Sequence, residues 1–122
     1  MGPHVLLIED EPNIAEAIRF VLARDGWNVS VLSDGAGAVA EVARLRPDLV
    51  ILDLMLPGMS GLEIVALLRA DPLTQDLPVM MLTAKGLGRD REAAARAGVT
   101  LFMTKPFANA EVVAQARALV GL

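Results

Sequence analysis

The chain has no cysteine. Disulfide staples, thiolate zinc sites and thiol redox chemistry are therefore outside its reach. Positive charge is also scarce. Eleven Lys and Arg stand against 15 Asp and Glu, a formal net charge of -4 over 122 residues. A nucleic-acid binder held by phosphate contacts carries a basic face, so direct nucleic-acid binding is not expected. The acidity does not exclude a domain that serves such a binder. Long hydrophobic runs are missing too, although the mean hydropathy is +0.50. Asp53, Lys85 and Lys105 break up the apolar stretches, and none approaches the ~20 residues of a spanning helix. The opening MGPHVLL lacks the basic n-region of a signal peptide. A single cytoplasmic domain over residues 1–122, without membrane contact, is the expectation. At 54% hydrophobic residues it can fill a core.

What is present alternates between two periods. HVLLI (His4 to Ile8), WNVSVL (Trp27 to Leu32), LVIL (Leu49 to Leu52), VMML (Val79 to Leu82) and Leu101 to Met103 read as strands. Between them lie stretches of helical period. Pro12 suits a first helical position, with Ile14, Ile18, Val21 and Leu22 on one stripe and Gly26 at the end. Asp34 is expected to cap a second helix carrying Val39, Val42 and Ala43, stopped by Pro47. Ser60 is expected to cap a third, with Ile64, Leu67 and Leu68 inward. Gly86 to Ala97 reads as a loop and an Ala-rich helix closed by Gly98. Asn109 is expected to cap the last helix, with Val112, Ala116, Leu119 and Val120 inward. Five strand–helix pairs in this rhythm predict an α/β fold: a parallel sheet covered on both faces.

In such sheets, ligands bind at the carboxyl ends of the strands. Glu9, Asp10 and Glu11 follow the first strand, Asp53 the third, Thr83 the fourth and Lys105 the fifth. Together they make a carboxylate cluster with one hydroxyl and one ammonium. Crowded carboxylates repel, and a hard divalent cation relieves that. Magnesium suits oxygen donors and needs only one or two carboxylates. The cluster offers no His or Cys, which argues against zinc or copper. A carboxylate beside such a cation can attack phosphorus and form an aspartyl phosphate. A nearby Lys and Thr can then hold the phosphoryl oxygens.

Four stretches carry a resemblance: VLLIEDEP (Val5 to Pro12), DLVILDLMLPGMSG (Asp48 to Gly61), VMMLTAKG (Val79 to Gly86) and FMTKPF (Phe102 to Phe107). In that order and spacing, the chain resembles the receiver domain of a bacterial two-component response regulator, of chemotaxis-regulator-like layout, over essentially its whole length. The resemblance implies a flavodoxin-like (βα)5 doubly wound sandwich with strand order 2-1-3-4-5. It implies a phosphorylation-activated switch within a phosphorelay, not an enzyme acting on a separate substrate. Asp53 would accept a phosphoryl group from the phosphohistidine of a sensor histidine kinase or a histidine phosphotransfer protein. Asp10, Asp53 and the backbone carbonyl of Met55 would bind Mg²⁺, with Glu9 acting through a metal-bound water. Mn²⁺ is expected to substitute. Thr83 and Lys105 would engage the phosphoryl group, a cis peptide before Pro106 would aim Lys105 inward, and Phe102 would be the switch aromatic. The face of the fourth helix, fifth strand and fifth helix would meet a downstream effector or an output domain. The acidic pair and Arg of the DNA-binding branch's dimer are replaced there by Thr100, Leu101 and Gln115, leaving a mostly apolar face. Met55 and Lys85 stand at the rim and are expected to slow hydrolysis of the acyl phosphate.

Other readings fit less well. A phosphatase of the haloacid dehalogenase type needs a second Asp where Met55 stands. A flavodoxin-like cofactor binder wants a hydroxyl- or Gly-rich loop where EDEPN stands. A degenerate receiver serving as a constitutive protein-binding module would lack the acidic pair, the acceptor or the Lys, and all are present. GLGRD (Gly86 to Asp90) lacks the Walker lysine and reads as a loop rather than a phosphate cradle. His4, the one histidine, opens a strand and is read as structural.

Overall fold

The computed structural model describes residues 2–84 and 88–122. The element order is β1 (His4–Ile8), α1 (Pro12–Arg24), β2 (Asn28–Leu32), α2 (Ala38–Leu45), β3 (Leu49–Asp53), α3 (Gly61–Ala70), β4 (Val79–Thr83), α4 (Gly88–Ala97), β5 (Leu101–Thr104) and α5 (Asn109–Leu119). The strands form one sheet in the order β2-β1-β3-β4-β5, every pair parallel. This is the (βα)5 architecture that the sequence pattern predicts.

Strand alternation divides the core in two. Val5, Leu7, Leu49, Ile51, Met80, Leu82 and Met103 pack on one face with Ile18 and Leu22 of α1 and Val112 and Ala116 of α5. Leu6, Ile8, Val50, Leu52, Val79 and Met81 pack on the other with Val42 of α2, Ile64 and Leu68 of α3 and Ala94 of α4. β3 and β4 are buried at every position, as central strands covered on both faces must be. β2 lies at an edge, and Val31 is 41% exposed there. Continuing the odd–even parity past the strand ends puts Glu9, Asp53 and Lys105 on the α1/α5 face. Thr83 falls on the opposite parity, with Phe102.

Local chemistry sets most helix ends. Pro12 opens α1, and Gly26 (φ 96°) follows its end. Ser60 caps α3 by accepting from Glu63 N–H at 3.3 Å. Several expectations fail at the helices. Asp34 does not cap α2, which starts at Ala38 behind Gly37; its Oδ1 accepts from Ala36 N–H at 2.9 Å instead. That local turn takes the carboxylate before the helix begins. Asn109 is the first residue of α5 rather than its cap, which is Ala108 with no side-chain cap bond; boundaries shift by a residue with the incoming loop. Leu67 is 48% exposed, because the inner stripe of α3 runs through Gly61, Ile64, Val65 and Leu68. Similarly, Ala43 is exposed and Val39 only half-buried on α2. Gly88 to Asp90 opens α4, whereas Lys85 and Gly86 lie outside the described residues.

Gly61 fixes the distance between α3 and the end of β3. Its N–H donates to Leu54 O at 2.9 Å. A Cβ there would stand 2.4 Å from the backbone oxygen of Asp53 and 3.1 Å from Leu54 Cα. Only glycine lets the helix start this close to the Asp53 backbone. Among the described residues, no helix is long and apolar enough to cross a membrane.

Candidate functional site

Four chain segments meet where β1, β3, β4 and β5 end. Glu9 follows β1 and is 2% exposed; its N–H donates to Leu32 O at 3.0 Å, which fixes the backbone turn. Asp53, the last residue of β3, is 8% exposed. Lys105 reaches both from beyond β5, with Nζ 2.9 Å from Glu9 Oε1 and 2.7 Å from Asp53 Oδ2. The peptide between Lys105 and Pro106 is cis, as the resemblance implies. Lys105 N–H donates to Thr83 O at 2.7 Å, which ties the end of β5 to that of β4. Thr83 is 1% exposed.

The remaining carboxylate oxygens are oriented by backbone. Met55 N–H donates to Asp53 Oδ1 at 3.1 Å, and Glu11 N–H donates to Glu9 Oε2 at 3.2 Å. Sequence reasoning missed both donors, since a backbone N–H leaves no mark in residue identity. Met55 itself is 69% exposed at the rim. Asp10 is exposed, yet one carboxylate oxygen each from Glu9, Asp10 and Asp53 lie within 4.8 Å of one another.

Charge counting shows what the cluster lacks. Three carboxylates against one ammonium leave two negative charges when all are ionised. Burial pushes the Glu9 carboxyl above its ordinary value of 4.5. Its hydrogen bonds from Lys105 and Glu11 N–H oppose this, while the Asp53 charge adds to it. Burial works against the Lys105 ammonium, but its hydrogen bonds to Asp53 and Glu9 prevail and raise it. A hard divalent cation on these oxygens would cancel the excess charge, and the all-oxygen donor set fits Mg²⁺. The acidic cluster is thus suited to Mg²⁺ binding.

The Glu9 shift has a sign that can be tested without metal. The folded state keeps a proton that the unfolded chain releases from pH 4.5 upward. Stability from this group therefore falls as pH rises through that window. Glu9→Gln removes the titration and leaves an acceptor for Lys105. In EDTA, its urea midpoint should gain on wild type as pH rises from about 4.5 toward neutrality. A difference between the two that does not vary with pH would show that the shift is absent.

Comparison with known proteins places this arrangement. The family model described as the response regulator receiver domain matches residues 5–117. The chain belongs to this family. A Mycobacterium tuberculosis relative described as a probable transcriptional regulatory protein, TcrX, is 46% identical over 116 residues, 95% of this chain and 49% of its own length. The DNA-binding response regulator MtrA of Mycolicibacterium smegmatis is 42% identical, covering 97% of this chain and 50% of that protein. The receiver spans about half the length of the curated relatives it matches. Among solved structures, the receiver domain of the sensor histidine kinase PA1611 from Pseudomonas aeruginosa superposes with a TM-score of 0.91 at 32% identity, covering 100% of both chains. That structure holds a magnesium ion coordinated in its active-site cleft.

The receiver brings together Glu9, Asp10, Asp53 and Lys105 as its sequence predicts. Thr83 and Phe102 sit one step away on the other face: Met81 pairs with Phe102 and Thr83 with Thr104, so both lie on the parity covered by α4.

Proposed function

We propose that Asp53 is the phosphoacceptor of this receiver. A carboxylate oxygen of Asp53 attacks the phosphorus of a phosphohistidine on a sensor kinase or a phosphotransfer protein. The P–N bond breaks, its electron pair returns to the imidazole nitrogen, and an acyl phosphate remains on Asp53. The observation that carries this is the seating of Asp53. It ends the central strand, is oriented by Met55 N–H, and lies 2.7 Å from a single ammonium that two carboxylates hold in place.

The other residues divide the remaining tasks. Asp10, Asp53 and the Met55 carbonyl would hold Mg²⁺, with Glu9 acting through a metal-bound water, and Mn²⁺ would serve in its place. The metal, when bound, screens the negative charge of the incoming phosphoryl oxygens. Lys105 then gives up part of its contact with Asp53 and pairs with a phosphoryl oxygen. The Thr83 hydroxyl takes another, and Phe102 follows it. Met55 at the rim hinders water, so the acyl phosphate is slow to hydrolyse. The receiver is a cytoplasmic relay component and not an enzyme on a separate substrate. It signals through α4, β5 and α5 to an effector or an output domain.

The test is to incubate the protein with acetyl phosphate and Mg²⁺, trap the product, and locate the label by mass spectrometry. The label is expected on Asp53, absent with chelator and restored by Mg²⁺ or Mn²⁺. Labelling that survives full chelation would overturn the metal-dependent route.

A further inference from the structure

Two arginines hold α4, a helix that its own apolar residues hold weakly. Its sequence is GRDREAAARA, and Ala94 is its buried residue among those described. Methyl groups bury little area, so docking by alanine alone is weak. At the C-terminal end, Arg69 of α3 supplies what the alanines lack. Its Nε donates to Gly98 O at 2.9 Å, tying the turn that follows α4 to α3, and its Nη1 donates to Thr74 O at 3.0 Å. Nearer the N-terminal end, Arg91 lays its guanidinium over the ring of Phe102, with Cζ 4.9 Å from the centroid. Among the described residues Arg91 makes no ion pair or side-chain hydrogen bond, so the ring is its partner. Phe102 is half-buried, packs against the α4-side core and shares its face with the buried Thr83.

We propose that Arg91 is a positioning residue: its guanidinium fixes the Phe102 ring under α4, so that the docking of this half of the helix depends on where the ring lies beside Thr83. This rests on the contact alone and goes beyond the reading of Asp53, since no phosphoryl chemistry enters it. A planar cation over an aromatic face is attracted by the ring quadrupole. An ammonium keeps the charge but loses the planar stack, so Lys should replace Arg only in part.

Amide hydrogen exchange of the full chain tests this, with the β3 amides as internal reference for global stability. Arg91→Ala should speed exchange within α4 by about three-fold, the range expected for a partly exposed cation–π contact, and leave β3 unchanged. Arg91→Lys should restore part of the protection. Phe102→Leu keeps apolar bulk and removes the ring; it should speed α4 exchange similarly. The double variant should exchange no faster than the faster single one, because both remove one contact. Wild-type exchange in Arg91→Ala, or single effects that multiply in the double variant, would overturn the proposal.

Discussion

Asp53→Asn is expected to take acetyl-phosphate labelling from stoichiometric to background. The substitution keeps the shape and an oxygen for Met55 N–H, so the β3 end stays in place. It removes the nucleophile, because an amide oxygen does not form a stable acyl phosphate. Neither neighbour can take over. Glu9 is committed to Lys105 and to Glu11 N–H, which hold both of its carboxylate oxygens. Asp10 is exposed, and among the described residues no cation pairs with it. The fold should not suffer. Lys105 keeps Glu9 as partner, and one of two mutually repelling carboxylates is gone. A thermal midpoint at or above that of wild type, with no label, is the expected pair of results. Full-stoichiometry label on Asp10 or any other residue would sink the assignment.

Much of this site is legible in the sequence, for a simple geometric reason. In a parallel sheet all strands point the same way, so the residues after each strand converge at one end. Short apolar runs mark the strands, and the residues just past each run are then the site candidates. That logic finds Glu9, Asp10, Asp53, Thr83 and Lys105 without any contact being known. The odd–even alternation adds a second level. Asp53 is on the parity of Leu49 and Ile51, and Thr83 on that of Val79 and Met81. This puts the ammonium with the carboxylates and the hydroxyl on the α4 side.

The features that are not legible depend on backbone or on distant partners. Met55 and Glu11 act through N–H groups that every non-proline residue has. Asp34 has the right chemistry for a cap, but its carboxylate finds Ala36 N–H two residues on, and the helix waits until Ala38. Leu67 looks inward by composition, yet the helix turns its small and branched neighbours Gly61, Ile64 and Val65 to the sheet. Gly61 belongs to that buried stripe and starts α3 against the Asp53 backbone, where a Cβ would stand 2.4 Å from its oxygen. Likewise, nothing in residue spacing reveals that Arg91 rests on Phe102. Pairs across elements come from packing and not from local pattern.

Asp10→Asn should weaken Mg²⁺ binding by ten-fold or more, about 1.4 kcal/mol or greater. Among the described residues the Asp10 carboxylate makes no hydrogen bond or ion pair, so the fold does not use it. Its value lies in the oxygen it brings within 4.8 Å of those of Glu9 and Asp53. Asp53 already shares its oxygens with Lys105 and Met55 N–H, and Glu9 shares its own with Lys105 and Glu11 N–H. Asp10 is therefore the carboxylate most able to turn wholly to a metal. Without metal the sign reverses: a like charge leaves a crowded acidic cluster, and the fold should gain stability. The two effects separate in one titration. Thermal midpoints without Mg²⁺ should be higher for Asp10→Asn than for wild type. As Mg²⁺ is added, the wild-type midpoint should climb and overtake, since stabilisation grows as RT ln(1 + [L]/Kd). The crossing of the two curves is the expected signature. If both midpoints climb in parallel over the same Mg²⁺ range, Asp10 is not a ligand, and the metal rests on Asp53 and Glu9 alone.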